Sequence, residues 1–128
     1  MLEPVPGSWV PIHHEIQSVL LDTGVDGFFT ISIENPRFED LYVQGTWNSE
    51  EIVWLEISLP EDADEDSSAE LIAHGWSSPT DEVPNFWKEL LWDPEDSATI
   101  AAHFIQAILV FGLAADDCEL LPHIETEK

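Results

Sequence analysis

One segment in the last third of the chain restricts the fold more than any other, because it is apolar on nearly every side. Asp93 and Pro94 predict a helix start, with Asp as the N-cap and Pro at the first helical position, and Gly112 predicts the end. The helix is predicted over residues 94–111, and its last three turns carry these apolar residues: Phe104, Ile105, Ala107, Ile108, Leu109, Val110 and Phe111. Such a helix must be buried all round. Either the fold wraps it or another chain does.

Runs of alternating apolar and polar residues predict strands. Residues 28–33 and 52–59 alternate with a period of two, residues 41–47 form a strand-like run between them, and only short loops separate the three. This spacing is typical of an antiparallel meander. A further strand is predicted over residues 85–92, after the loop-like segment 76–84 with its two prolines.

Two more helices are predicted. One carries an apolar stripe at helical spacing and is stopped by Gly24; the stripe consists of Ile12, Ile16, Val19 and Leu20. The other is short, over Ala69–His74. Ser67 and Glu70 form a capping box at its start, and Gly75 ends it.

The predicted order is α-β-β-β-α-β(-β)-α, which describes an α+β fold. We expect an antiparallel sheet of about four to five strands with helices packed on it. The 128 residues fit a single domain, 1–128. Within it, residues 1–11 are predicted to form an irregular N-terminal arm, residues 60–68 an acidic loop, and residues 123–128 a frayed tail.

The charge of the chain limits its partners. There are 27 Asp and Glu residues against 3 Lys and Arg, which gives a formal net charge of -24. A nucleic acid backbone needs Lys and Arg for binding, and an anionic membrane surface repels such a chain. We therefore expect no nucleic acid and no membrane as a partner, and a basic or amphipathic protein or peptide instead.

The cysteine content predicts the compartment. Cys118 is the only cysteine, so no intrachain disulfide can form. The N-terminal sequence shows no secretion signal, and no stretch approaches the ~20 apolar residues of a membrane span. These features predict a cytoplasmic protein. Neighbouring carboxylates raise the pKa of the Cys118 thiol, which makes it a poor nucleophile.

No residue set predicts catalysis, a cofactor or a metal site. Asp62–Asp66 imitates the start of a calcium loop, but the positions that require Gly and Glu are Ser67 and Ala73. We interpret this run as a solvated loop, with weak and non-specific cation binding as the alternative. His13 and His14 are adjacent, so they lie on different faces of a helix, whereas zinc ligands on helices share a face.

The aromatic residues carry the strongest functional signal. Trp54 and Trp87 are predicted to point away from the apolar faces of their strands. Exposed aromatic side chains are typical anchors of protein interfaces. The candidate partner-binding residues are Trp47, Trp54, Trp76, Trp87, Trp92, Phe104 and Phe111. The alternatives are packing under loops or beneath the final helix, and a contact between two copies of the chain.

Several local sequences resemble a known group of proteins. These are Tyr42-Val43-Gln44, His74-Gly75-Trp76-Ser77-Ser78-Pro79, Asn85-Phe86-Trp87 with Trp92, and Ala101 to Gly112. With the element order, they resemble class I type III secretion chaperones and YbjN-like proteins, in particular the actinobacterial TY-Chap peptide-binding chaperone-like domains. The resemblance spans roughly residues 25–122. It implies helices on an antiparallel sheet, peptide or protein binding, and frequent dimers, and it supplies no catalytic residues.

Three functions remain open at this point. The first is a non-catalytic module that binds a protein or peptide, and homodimerisation is a separate prediction. The second is an acidic mimic of a nucleic acid, or another regulator, that binds a basic protein; only the net charge supports it. The third is a small enzyme, which would need a concave site with convergent titratable groups. We expect the first, and no enzyme.

Overall fold

A computed structural model describes residues 4–61, 63 and 65–126. It contains three α-helices, five β-strands and three short 3-10 turns. The helices are α1 (Val10–Thr23), α2 (Glu65–Ala73) and α3 (Ser97–Leu109), and the strands are β1 (Gly27–Glu34), β2 (Tyr42–Ser49), β3 (Ile52–Ile57), β4 (Phe86–Leu91) and β5 (Glu119–Thr126). The 3-10 turns are Gly7–Trp9, Pro94–Asp96 and Ala115–Asp117. The predicted α+β fold with an antiparallel sheet is confirmed.

The five strands form one sheet in the order β4-β3-β2-β1-β5, and each neighbouring pair is antiparallel. β1 lies between β2 and β5, so Phe29 faces Gly45 on one side and Ile124 on the other. The three strands of the predicted meander are adjacent, as their short connections require. β5 reaches the sheet from the far end of the sequence.

The two faces of the sheet differ. Along β1, β2 and β3 buried residues alternate with more exposed ones, as the period of two dictates. The buried side chains meet the helices: Phe29 of β1 contacts Phe104 of α3 edge to face, with ring centroids 6.1 Å apart. The opposite residues point to a face on which no helix of the described ranges packs.

The apolar end of α3 is enclosed by its own chain. Phe104 and Ile108 are fully buried, and Phe111, just after α3, packs against Phe38 at 5.6 Å between ring centroids. Of the two explanations for an all-round apolar helix, the structure therefore shows wrapping within one chain. Within the described ranges, no helix is long and apolar enough to cross a bilayer; α3 has 13 residues.

Three segments expected to be irregular are partly ordered. The arm predicted over residues 1–11 contains a 3-10 turn and the first residues of α1. Trp9 is buried in the core and fixes this segment, while Pro11 is tolerated because the first helical turn needs no amide from it. Residues 1–3 lie outside the described part of the chain.

The acidic loop predicted over residues 60–68 is shorter than expected. α2 begins at Glu65 instead of Ala69, so its first turn carries Glu65 and Asp66. Carboxylates are favourable there because the helix dipole places partial positive charge at the N-terminus. Asp62 and Asp64, which belong to the calcium-like run, lie outside the described residues.

The tail predicted to fray over residues 123–128 instead continues β5 to Thr126; residues 127–128 lie outside the described part. β5 also follows the last helix, whereas the prediction placed every strand before it. Pro122 lies within β5, opposite Ile31. A proline cannot donate to a ladder, and an edge strand accepts it because only one side of that strand is paired.

Candidate functional site

The uncovered side of the sheet is the main candidate site, and we call it the open face. Its side chains are half-buried or exposed. On strands β1 to β4 it includes Phe28, Thr30, Ser32, Tyr42, Gln44, Thr46, Trp54, Glu56, Trp87, Glu89 and Leu91. Aromatic, amide, hydroxyl and carboxylate groups are therefore mixed on one accessible surface.

Two indoles stack on this face at the β4 edge of the sheet. Across β3 and β4, Trp54 is opposite Glu89 and Glu56 is opposite Trp87, so the two tryptophans are diagonal neighbours. Their ring centroids lie 4.5 Å apart, and their planes differ by 6°. A stacked aromatic pair is worth roughly 0.5–1.5 kcal/mol beyond the area that it buries. The pair is a rigid, partly accessible aromatic platform.

The carboxylate of Glu56 is fixed beside this platform. The indole Nε1 of Trp54 donates to Oε2 of Glu56 at 3.0 Å. Nδ2 of the buried Asn85 donates to Oε1 of Glu56 at 3.1 Å, and the hydroxyl of Tyr42 donates to Oδ1 of Asn85 at 3.2 Å. Each carboxylate oxygen therefore has one hydrogen bond, and the negative charge is held in one orientation next to aromatic surface.

The backbone also fixes Trp87 in place. Ser77 donates its N–H to the carbonyl of Trp87 at 2.8 Å, and Trp87 donates its N–H to the carbonyl of Ser77 at 3.2 Å. This bridge holds the segment after α2 against the outer edge of β4. The backbone of Trp87 is thus hydrogen-bonded to Ser77 on one side, and on the other side Trp87 pairs with Glu56 of β3.

A shallow depression of about 250 Å³ adjoins Glu56 on the open face. It is lined by Phe28, Phe29, Gln44, Gly45, Thr46 and Glu56. Phe28 is 38% exposed and supplies an apolar wall. Phe29 and Gly45 face the core, so at these two positions the depression borders the backbone of β1 and β2. It can accept an apolar side chain next to the fixed carboxylate.

The structure separates the seven predicted partner-binding aromatics into two groups. Trp54 and Trp87 lie on the open face. The other five pack in or against the core: Trp47, Trp76, Trp92, Phe104 and Phe111. Trp92 is half-buried and contacts Trp47 at right angles, with ring centroids 5.2 Å apart. Core packing removes these five from the candidate surface.

Four residues that shape the platform and the adjoining depression were not among the predicted site residues: Phe28, Tyr42, Glu56 and the buried Asn85. Alternation along β1 and β3 places Phe28 and Glu56 on the outward side of their strands, so this pattern alone could have identified them. The hydrogen bonds of Asn85 depend on the register between β3 and β4, which one sequence does not reveal.

A second polar cluster lies on the helix side of the sheet. Lys88 is buried, and its Nζ donates to the carbonyl of His74 at 2.9 Å and to Nδ1 of His103 at 3.1 Å. Nζ also lies 4.9 Å from the ring centroid of Trp76. Burial lowers the pKa of Lys88. Burial, and then the positive charge of Lys88, lower the pKa of His103 to about 4, so His103 is neutral and accepts at Nδ1.

A depression of about 610 Å³ lies between the β1–β2 loop and the start of β5. Its lining is rich in carboxylates and consists of Glu34, Asn35, Pro36, Phe38, Glu39, Asp116, Asp117, Cys118 and Glu119. Burial and the charge of Asp117 raise the pKa of Cys118. Among the described residues, no group of three or more His, Cys, Asp or Glu side chains is placed to hold a metal ion.

Comparisons of the chain with family models, with curated proteins and with solved structures find no match. The resemblance of its sequence to secretion chaperones and YbjN-like proteins therefore remains a prediction. The functional assignment rests on the geometry of the open face.

Proposed function

We propose that the protein is a non-catalytic module that binds a segment of a partner protein, or a peptide, on the open face. The observation that carries this proposal is the stacked pair of Trp54 and Trp87 on a side of the sheet that no described helix covers. Large aromatic side chains on a surface are typical of interface anchors. The adjoining depression at Phe28 would receive an apolar side chain of the partner.

The charge of the chain favours a basic or amphipathic partner. A net charge of -24 attracts cationic segments over a long range and mostly raises the rate of association. Glu56 and Glu89 lie within the open face itself, so the same attraction acts at the contact. This role agrees with the peptide binding that the resemblance to TY-Chap domains implies. The lone cysteine suits a reducing cytoplasm.

A partner segment explains the open face better than a second copy of the chain does. Two copies that met through this face would bring Glu56 and Glu89 towards their counterparts without cations between them, which is unfavourable. The apolar end of α3, which favoured a homodimer in the sequence, is enclosed by its own chain. Sedimentation distinguishes the two occupants, since a homodimer has twice the 14.4 kDa mass of one chain.

The two other functions have weaker support. A nucleic-acid mimic would account for the charge, but it would leave the aromatic pair unexplained. An enzyme would need titratable groups that converge in a depression. The depression of about 610 Å³ is lined mainly by carboxylates, and its thiol, Cys118, has a raised pKa. We therefore propose binding and no catalysis.

A peptide selection combined with site-specific crosslinking tests the proposed function. Random 12-residue peptides are selected on the purified protein, and the best binder is synthesised. A photoreactive benzoylphenylalanine replaces Thr46 on the open face or, as the matched control, Ser18, which is exposed on α1. We expect the peptide to crosslink at position 46 and not at position 18.

Two results would overturn the proposal. One is a selection that yields no binding peptide at about 150 mM salt, where long-range attraction is largely screened. The other is equal crosslinking at positions 46 and 18, which would show that the peptide adheres to the acidic surface as a whole.

A further inference from the structure

We propose that the Trp54–Trp87 pair and the carboxylate of Glu56 together form a seat for an arginine side chain of the bound segment. This inference rests on the proposed function and specifies the chemistry of the partner. An arginine is the side chain that matches both halves of the seat, since its guanidinium is planar, stacks on aromatic rings and donates to a carboxylate through two parallel N–H groups.

The carboxylate half of the seat has acceptor capacity to spare. An ionised carboxylate offers about four lone-pair positions. Glu56 uses one on Oε2 for Trp54 and one on Oε1 for Asn85. One lone pair on each oxygen therefore remains for a guanidinium. The two bonds also hold the carboxylate in place beforehand, so little conformational entropy is lost when an arginine binds.

The aromatic half of the seat is attractive to a cation. One face of each indole is covered by the other indole. Both tryptophans are only half-buried, so part of the platform is accessible. A cation within ~6 Å of an indole centroid is attracted by the negative face of the ring. Glu89 lies opposite Trp54 on β4 and adds a second negative charge beside the rings.

The protein already places two of its own cations over aromatic rings. Arg37 lies over Phe38, 4.9 Å from the ring centroid, and donates to the carbonyl of Phe111 at 2.8 Å. Lys88 lies over Trp76 at the same distance. These are the cationic Arg and Lys side chains of the described residues, and both are engaged away from the open face. Within that part of the chain neither Arg37 nor Lys88 occupies the carboxylate of Glu56, so its free lone pairs are open to an arginine of the partner.

The depression beside Glu56 sets a second feature of the partner. Its apolar wall, Phe28, belongs to β1, whereas the indole pair spans β3 and β4. Strands lie about 4.8 Å apart, so the two sites are separated by roughly 10–12 Å, which an extended chain covers in about three to four residues. The bound segment would then combine an arginine with an apolar side chain at this spacing.

A small cationic probe tests the arginine seat directly. N-acetyl-arginine methylamide is titrated into the full-length protein at about 150 mM salt, and the indole Nε1–H signals are followed by NMR. We expect the signals of Trp54 and Trp87 to shift and to saturate with a Kd in the millimolar range, since the probe is small and the site is partly exposed. The lysine analogue should bind at least about twofold more weakly, because an ammonium does not stack.

Charge-matched variants separate the seat from the general field of the protein. Glu56→Gln and, as a second variant, Glu89→Gln should each weaken binding of the arginine probe about threefold or more, the size of a partly exposed charge contact. Glu15→Gln on α1 removes the same charge at an exposed site elsewhere and should leave binding unchanged. Equal losses in all three variants, shifts that never saturate, or equal binding of the lysine analogue would overturn the inference.

The proposed function and the arginine seat can fail separately. If the selected peptides crosslink at position 46 but lack arginine and leave the Trp54 and Trp87 signals unshifted, the open face binds peptides and the seat is wrong. If the arginine probe saturates the seat while no selected peptide crosslinks at position 46, the seat exists and the proposed function is wrong.

Discussion

The ring of Phe29 lies directly against the backbone of Gly45, its partner across β1 and β2. A Cβ on Gly45 would lie 2.5 Å from Cε2 and 2.7 Å from Cζ of Phe29, far inside van der Waals contact. Phe29 is fully buried and also packs on Phe104 and Trp47. The ring therefore has no room to retreat, and glycine is needed at position 45.

Gly45→Ala should destabilise the protein by about 1–3 kcal/mol, because an added methyl group forces buried side chains off their preferred positions. The free energy of unfolding, measured in urea, checks this. Gly7→Ala is the matched control, since a Cβ at Gly7 meets nothing within 4 Å. A Gly45→Ala variant as stable as Gly7→Ala would contradict the contact with Phe29.

His103 should make the protein lose stability as the pH falls. Its pKa is about 4 in the folded state, lowered by burial and then by Lys88, and about 6.5 in an unfolded chain. Between these pH values His103 is protonated in the unfolded chain and neutral in the folded protein. The contribution of His103 to the free energy of unfolding is therefore complete above pH 6.5 and is lost as pH falls towards 4. His103→Gln should flatten this part of the stability profile.

The same histidine can be followed by NMR. We expect its signals to titrate near pH 4. Lys88→Met should raise the pKa of His103 by removing the neighbouring charge, but it should stay below 6.5 because burial is the larger cause. A wild-type His103 that titrates at 6.5 would contradict both the burial and the contact with Lys88.

Cys118 should react slowly with iodoacetamide at pH 8. Burial raises the pKa of its thiol, and Asp117 raises it further, so less of the reactive thiolate is present. Asp117→Asn should speed the reaction by about two- to threefold, the size of a single partly exposed charge. Asp22→Asn, an exposed acid on α1, serves as the control. Equal acceleration by both variants would indicate only the general field of the protein.

Salt should stabilise the folded protein. With a net charge of -24, repulsion between carboxylates opposes the compact state. Raising NaCl from about 10 mM to about 0.5 M shortens the screening length from roughly 30 Å to under 8 Å. We expect the free energy of unfolding to rise by at least about 1 kcal/mol. The double variant Asp116→Asn, Asp117→Asn should show a smaller increase. A thermal unfolding temperature that does not change with salt would contradict the prediction.

Features of the fold that depend on local patterns could be predicted from the sequence. The meander and the outward direction of Trp54 and Trp87 follow from alternation within each strand, and they are confirmed. β5 could not be found in this way. Its pairing partner β1 is distant in the sequence, and Pro122 interrupts the pattern that marks a strand. Its existence is decided by the tertiary structure.

The candidate site was predictable only in part. Aromatic content alone does not distinguish a core tryptophan from a surface one, so Trp47 and Trp76 were grouped with Trp54. Strand parity makes that distinction for Trp54, but Trp76 follows α2 outside any named strand. The fixed orientation of Glu56 needs Asn85, which directly precedes β4 and is distant in the sequence.

The pairing of β1 with β5 has a consequence for biosynthesis. Residues 27–34 emerge from the ribosome early, yet their partners on one side are residues 119–126. Until those residues have been translated, β1 presents a row of free amide and carbonyl groups, which is the kind of edge that other chains can pair with. The nascent chain is thus most vulnerable to misassembly late in translation, when the rest of the sheet has already been made.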